Sequence, residues 1–142
     1  MVKMMSKYFS EKEMFCHCWR CKGKRPSLAV YNNLKRTAAA LDIYREKLGK
    51  PIYIDDAYRC PAHNKECGGV SGSAHMLGLA ADCRIAGMNE AQMFEFFAEM
   101  PTSNIPHKPK SKTFMGAGYY PGKGFCHVDI ERCKPRPNTW RG

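Results

Sequence analysis

The stretch Ser73-Ala74-His75-Met76-Leu77-Gly78-Leu79-Ala80-Ala81-Asp82 decides how the rest of the chain is read. A histidine and a carboxylate stand seven residues apart with small residues between them, a spacing that a turn leading into a strand brings to one point. Neutral imidazole and carboxylate oxygen both ligate zinc, and a catalytic zinc takes three protein ligands while keeping a fourth position open. His75 and Asp82 would supply two of the three. The third candidate lies far downstream in Phe125-Cys126-His127-Val128-Asp129-Ile130, where polar and apolar residues partly alternate as on a half-buried strand. With period two, Phe125, His127 and Asp129 share one face and Cys126, Val128 and Ile130 the other, so His127 and Asp129 are expected in one cleft.

Further motifs flank these two. Tyr58-Arg59-Cys60-Pro61-x-His63-Asn64 and Gly68-Gly69 come before Ser73-x-His75-x-x-Gly78-x-Ala80-x-Asp82; Gly118-Tyr119-Tyr120 precedes Phe125-x-His127-Val128-Asp129, and Trp140 closes the series. In this order they make the sequence resemble the M15 zinc peptidases, the family of D-Ala-D-Ala carboxypeptidases and murein endopeptidases, over residues 8–140. The resemblance implies a zinc held by His75, Asp82 and His127, which would lower the pKa of bound water and polarise a scissile carbonyl. It also implies a role for Arg59 on the bound substrate, whose carboxylate or oxyanion its guanidinium fork suits. The implied substrate is the stem or cross-link peptide of peptidoglycan, and the implied site of action is the cell wall or the extracellular space.

One departure bears on mechanism. Many relatives carry Glu or Asp three residues before the last histidine ligand, where this sequence has Gly124, and some carry histidine two before it, where this sequence has Phe125. Asp129 is the nearest carboxylate on the same strand face, and it is nominated either as general base or as the partner that orients His127. Were the base missing altogether, the domain would be a zinc-containing module that binds cell wall without cutting it. The related zinc-bearing domain of hedgehog signalling proteins shows that such a scaffold exists outside ordinary peptidase duty.

The chain of 142 residues, 44% apolar, suits one domain spanning residues 1–142 with a modest core. Met1 to Glu13 contains no apolar run of signal-peptide length, so no export signal is expected, and no transmembrane span is expected either. The net charge of +10 attracts polyanions of any kind, an anionic wall included. Lysines and arginines are scattered, with mild concentrations at Lys108, Lys110 and Lys112 and at Arg132, Lys134, Arg136 and Arg141. A nucleic-acid partner is not expected, because it accounts for neither the His75–Asp82 motif nor the His127 strand. A monomer is expected.

Eight cysteines admit either disulfides or metal. Cys16-His17-Cys18-Trp19-Arg20-Cys21 is dense enough for a second, structural zinc with Cys60 or His17 as fourth ligand. An oxidising environment would instead pair these cysteines with Cys60, Cys67, Cys83, Cys126 or Cys133.

The remaining segments predict packing. Ser10-Glu11-Lys12-Glu13 reads as a capping box opening a short helix. Ser27 caps a longer one that runs to Gly49, with Leu28, Tyr31, Leu34, Ala38, Leu41 and Leu48 at near-helical spacing. Pro51 to Asp55 reads as a buried strand, and His63 and Asn64 as part of a loop that shapes the cleft. Leu79–Ile85 is a strand, and Asn89 opens a helix with Met93, Phe94, Phe97 and Met100 inward. Residues 101–112 read as an exposed loop containing His107, and Thr113–Tyr120 pairs with Gly124–Ile130 as a hairpin. The tail from Cys133 is expected to be irregular with Trp140 folded back. The predicted class is α+β, with helices packed on one side of a small, mainly antiparallel sheet whose open face carries the metal.

Overall fold

A computed structural model describes residues 3–69, 72–99, 116–130 and 138–141. It is an α+β fold: helices α1 (Glu11–Met14), α2 (Leu28–Leu48), α3 (Pro61–Glu66) and α4 (Glu90–Glu99) accompany strands β1 (Tyr53–Asp56), β2 (Ala80–Arg84), β3 (Gly116–Tyr119), β4 (Cys126–Asp129) and β5 (Asn138–Arg141). The strands form one sheet in the order β1-β2-β4-β3-β5. All neighbours are antiparallel except β3 and β5, which run parallel.

Local chemistry sets the helix ends. Ser10 Oγ accepts from Glu13 N at 3.2 Å while Glu13 Oε1 accepts from Ser10 N at 2.9 Å, the reciprocal capping box read from the sequence. Ser27 Oγ accepts from Val30 N at 3.3 Å, and Gly49, at φ 77°, takes the left-handed turn that ends α2. The buried stripe of α2 is Leu34, Thr37, Ala38, Ala40, Leu41 and Tyr44. Leu28, expected on that stripe, is 73% exposed, while Val30 and Tyr31 of the same turn pack against the core. Tyr44 meets Phe97 of α4 at a ring distance of 5.0 Å, joining the two helices over the apolar sheet residues Ala81, Cys83, Cys126 and Val128.

Three further expectations are corrected. The segment read as a buried strand is an edge strand, with Tyr53 54% exposed and Ile52 the residue that turns inward. His63 and Asn64 lie on α3, not in a loop: Pro61 occupies the first turn, where its missing N–H costs nothing, and Cys60 is the N-cap. Residues 138–141 are a strand, because a nonlocal parallel pairing with β3 supplies backbone partners that no local pattern reveals. Met100, the loop 101–112 with His107 and its lysines, Thr113, Cys133 and the 132–136 basic stretch lie outside the described residues, as does the Trp140 side chain.

Between α2 and β2 the chain makes a 3-10 turn, Ala74–Leu77, that is fastened to α2. Asn33 Nδ2 donates to Leu77 O at 2.8 Å and Thr37 Oγ1 to Gly78 O at 2.8 Å. Gly78 adopts φ 77°, and a Cβ there would lie 2.9 Å from Val30 O and 3.1 Å from Leu34 Cγ. Gly78→Ala therefore meets two penalties, roughly 1–2 kcal/mol for a left-handed alanine and roughly 1–3 kcal/mol for overpacking. The expected outcome is a loss of about 2–5 kcal/mol in unfolding free energy by chemical denaturation. A change within experimental error would mean that the turn is not wedged against α2.

Candidate metal centre

The sheet register builds the site. Asp82 lies opposite His127 in the β2–β4 pair, and His127 lies opposite Gly118 in the β4–β3 pair. Directly paired residues point to the same face of a sheet, so Asp82 and His127 project together, and Gly118 puts no side chain beside them. His75 arrives from the 3-10 turn, whose start Ser73 fixes by accepting from His75 N at 3.2 Å. The three side chains that the sequence motifs single out as ligands thus meet: His75 Nε2 is 3.2 Å from His127 Nδ1 and 3.3 Å from Asp82 Oδ1, and His127 Nδ1 is 3.2 Å from Asp82 Oδ1.

The far sides of both rings settle which nitrogens face inward. His75 Nδ1 lies 2.7 Å from Ala57 O, a carbonyl that only accepts, so this nitrogen carries the proton and Nε2 turns a lone pair to the cluster. His127 Nε2 lies 3.0 Å from Asp129 Oδ2, so Nε2–H donates to Asp129 and Nδ1 faces the cluster. Two imidazole lone pairs and a carboxylate oxygen then converge with no donor among them, an arrangement that repels itself until a cation enters. Zinc bonds of about 2.0–2.1 Å separate neighbouring ligand atoms of a tetrahedron by about 3.3 Å. The observed triangle has that size, so the donor set and its spacing fit a zinc ion with one position left open.

The charges around the centre favour a positive charge on His127. Burial disfavours the charged His127 ring, but hydrogen bonds to Asp129 and Asp82 and the charges of both carboxylates outweigh it, and its pKa is raised. Burial also disfavours ionised Asp82, yet the two histidines hold its carboxyl below the usual range. The raised His127 pKa stabilises the metal-free fold fully below the ordinary imidazole value, and that contribution disappears as pH rises through the raised value. Chelator-treated protein should accordingly melt at lower temperature as pH is raised across the neutral range. A zinc ion held by these residues would compete with the proton on His127, so its affinity should fall on acidification. Calorimetric titration at several pH values checks the second trend, and a zinc affinity that rises toward acid would contradict the site.

Arg59 and Asp129 occupy different positions relative to this cluster. Arg59 N donates to His75 O at 3.1 Å, so its backbone is tied to the ligand turn. Its Nε is buried without a hydrogen-bond partner among the described residues. Asp129 is 2% exposed, and its Oδ2 meets the His127 nitrogen remote from the cluster, the geometry of an orienting partner.

Asp56 was not singled out from the sequence. It lies opposite Asp82 in the β1–β2 pair, next along the row Asp56, Asp82, His127, Gly118 that crosses the sheet. Burial raises its carboxyl pKa, the charges of His63 and Arg59 pull it down, and Asp82 pushes it up again. A carboxylate at the end of a strand was the available signal, but the bulge between Ile54 and Asp56 shifts the register and hides which of two consecutive aspartates faces the ligands.

The cysteines near the N-terminus also converge. Cys16, Cys18, Cys21 and Cys60 bring their sulfurs within 4.8 Å of one another. His17, the other candidate for the fourth place, is turned to Lys12 O at 2.8 Å instead. Cys83 and Cys126 face each other across β2 and β4, and the seven described cysteines are all free thiols. No helix among the described residues is long and apolar enough to cross a membrane.

Comparison with known proteins gives one family. A family model described as Peptidase M15 matches residues 7–129. No curated protein matches the chain.

Proposed function

The chain belongs to the M15 peptidases, and from that premise we propose that it is a zinc-dependent hydrolase of peptidoglycan peptides, acting on stem or cross-link bonds as a D,D-carboxypeptidase or murein endopeptidase. The observation that carries this reading is the triangle of inward lone pairs on His75, Asp82 and His127, with edges of 3.2–3.3 Å. When bound there, zinc supplies Lewis acidity to a substrate carbonyl and to water.

The side chains supply orientation and proton transfer. The Ala57 carbonyl and the Asp129 carboxylate hold the two imidazoles in the ligating tautomer and prevent ring rotation, which makes Asp129 a positioning residue. Arg59 offers a buried N–H without a partner among the described residues, next to the turn that carries His75. A guanidinium in this position suits the terminal carboxylate of a peptide or the oxyanion that forms during attack. Asp56 is the carboxylate beside Asp82 on the ligand face, and its raised pKa suits it to accept a proton from the attacking water and return it to the leaving amine.

Digestion of defined muropeptides followed by mass spectrometry tests the reading and names the bond. The expected result is release of a fragment bearing a new amino group, suppressed by chelator and restored by zinc. Zinc retained with no cleavage of any muropeptide would favour the wall-binding module instead.

A further inference from the structure

The four-cysteine cluster lies outside the centre formed by His75, Asp82 and His127, and the hydrolytic reading makes no use of it. We propose that Cys16, Cys18, Cys21 and Cys60 bind a second, structural zinc ion as a tetrathiolate centre, clamping the N-terminal segment to the loop that carries Arg59.

The spacing of the sulfurs is the first support. Zinc–sulfur bonds of about 2.3 Å separate the sulfurs of a tetrahedron by about 3.8 Å. Cys18 Sγ and Cys60 Sγ are 3.7 Å apart, and all four sulfurs lie within 4.8 Å of one another. All four are free thiols with no bond between any pair of sulfurs, and one tetrahedral ion uses all four.

The backbone around the cluster is the second. Cys18-Trp19-Arg20-Cys21 forms a turn closed by Lys22 N donating to Cys18 O at 2.9 Å, followed by Lys24 N donating to Cys21 O at 2.8 Å. Lys22 has φ 48° and Gly23 φ 76°, and Lys22 is the one non-glycine residue with positive φ among the described residues. A lysine pays roughly 1–2 kcal/mol to sit there, and such a conformation persists where its surroundings over-determine it. A metal ion gripping both ends of the Cys-x-x-Cys turn is such a constraint.

Donors aimed at sulfur are the third. Cys60 N points at Cys16 Sγ at 3.5 Å, and His63 N at Cys60 Sγ at 3.4 Å. His63 Nδ1 lies 3.3 Å from Cys16 Sγ. The Cys60 N–H favours thiolate at Cys16, the form in which cysteine binds metal, against the burial that pushes this thiol's pKa up. On binding, the four thiols release their protons to solvent and the centre carries a net negative charge. The Arg20 side chain, in contact with Cys18 and paired with Glu66 at 2.7 Å, stands beside that charge.

The segment 57–60 links the two centres. Cys60 belongs to the thiolate cluster, Arg59 N donates to His75 O, Tyr58 N donates to Met14 O at 3.1 Å, and Ala57 O holds His75 Nδ1. The structural ion would therefore fix Arg59 relative to His75 without touching substrate.

Elemental analysis of the purified chain should find two zinc ions per chain, and one in the His75→Ala/His127→Ala variant. Cobalt(II) added to that variant after metal removal should give the near-ultraviolet charge-transfer band of sulfur bound to cobalt, together with the visible bands of a tetrahedral ion. Cys16→Ser/Cys21→Ser should abolish that band, and the His75→Ala/His127→Ala background keeps the test readable if the cysteine variant fails to fold. A His75→Ala/His127→Ala variant that holds no zinc would overturn the proposal. So would a cobalt spectrum without the sulfur band, or a non-reducing peptide map that finds a disulfide among these four residues.

Discussion

His127→Ala is expected to reduce muropeptide hydrolysis to background while leaving the chain folded. His127 is 15% exposed at its side chain and stands on β4 between Asp82 and Asp129, so its removal deletes one metal ligand and leaves two carboxylates facing each other without a bridge. A metal acting as Lewis acid lowers a hydrolytic barrier by several kcal/mol, and each 1.4 kcal/mol is tenfold in rate, so loss of the ion predicts a fall of about 10³-fold or more. The ring makes little of the apolar core, and circular dichroism should report native secondary structure. Initial rates on one defined muropeptide, with zinc content measured on the same sample, decide the matter. Activity within tenfold of the wild type in a metal-depleted variant would remove the basis for metal-assisted hydrolysis by this chain.

Asp56→Asn separates proton transfer from metal binding. The amide keeps the size and most hydrogen bonds of the carboxylate but does not accept a proton, and Asp56 is a neighbour of the ligand Asp82, not a member of the triangle. A positioned general base contributes typically about 10²–10⁴-fold, so kcat should fall by that order while KM and zinc content stay close to those of the wild type. The acidic limb of the pH–rate profile should also flatten, since the group whose ionisation it reports is gone. Unchanged kcat would return the role of base to another group. Lost zinc would show that Asp56 supports the metal instead.

These two residues mark where sequence reasoning succeeded and where it stopped. His75, Asp82 and His127 were legible because their chemistry is specific and because alternation along a strand assigns faces without knowledge of the fold. The caps at Ser10, Ser27 and Gly49 were legible for a related reason: each is decided by atoms within four residues. Asp56 was not, since its place opposite Asp82 follows from a bulge and from pairing with a strand 24 residues and more away. Helix α3 was hidden by a cap of unusual chemistry, a cysteine sulfur accepting from His63 N, where serine, threonine or aspartate would have announced the start. The arrangement of the cysteines sits between these cases. Their density on one hexapeptide invited metal or disulfides equally, and the contribution of Cys60 from the other side of the fold is a tertiary fact.

Strand β5 joins the sheet by parallel pairing with β3, from Gly116 opposite Asn138 to Tyr119 opposite Arg141. Shortening the chain ahead of residue 138 would strip β3 of that partner and leave a row of unsatisfied amides and carbonyls beside the strand that holds His127. Bare strand rims of this kind recruit other molecules edge to edge, so a trimmed version of this protein should be prone to aggregate when expressed, whatever the state of its metal ligands.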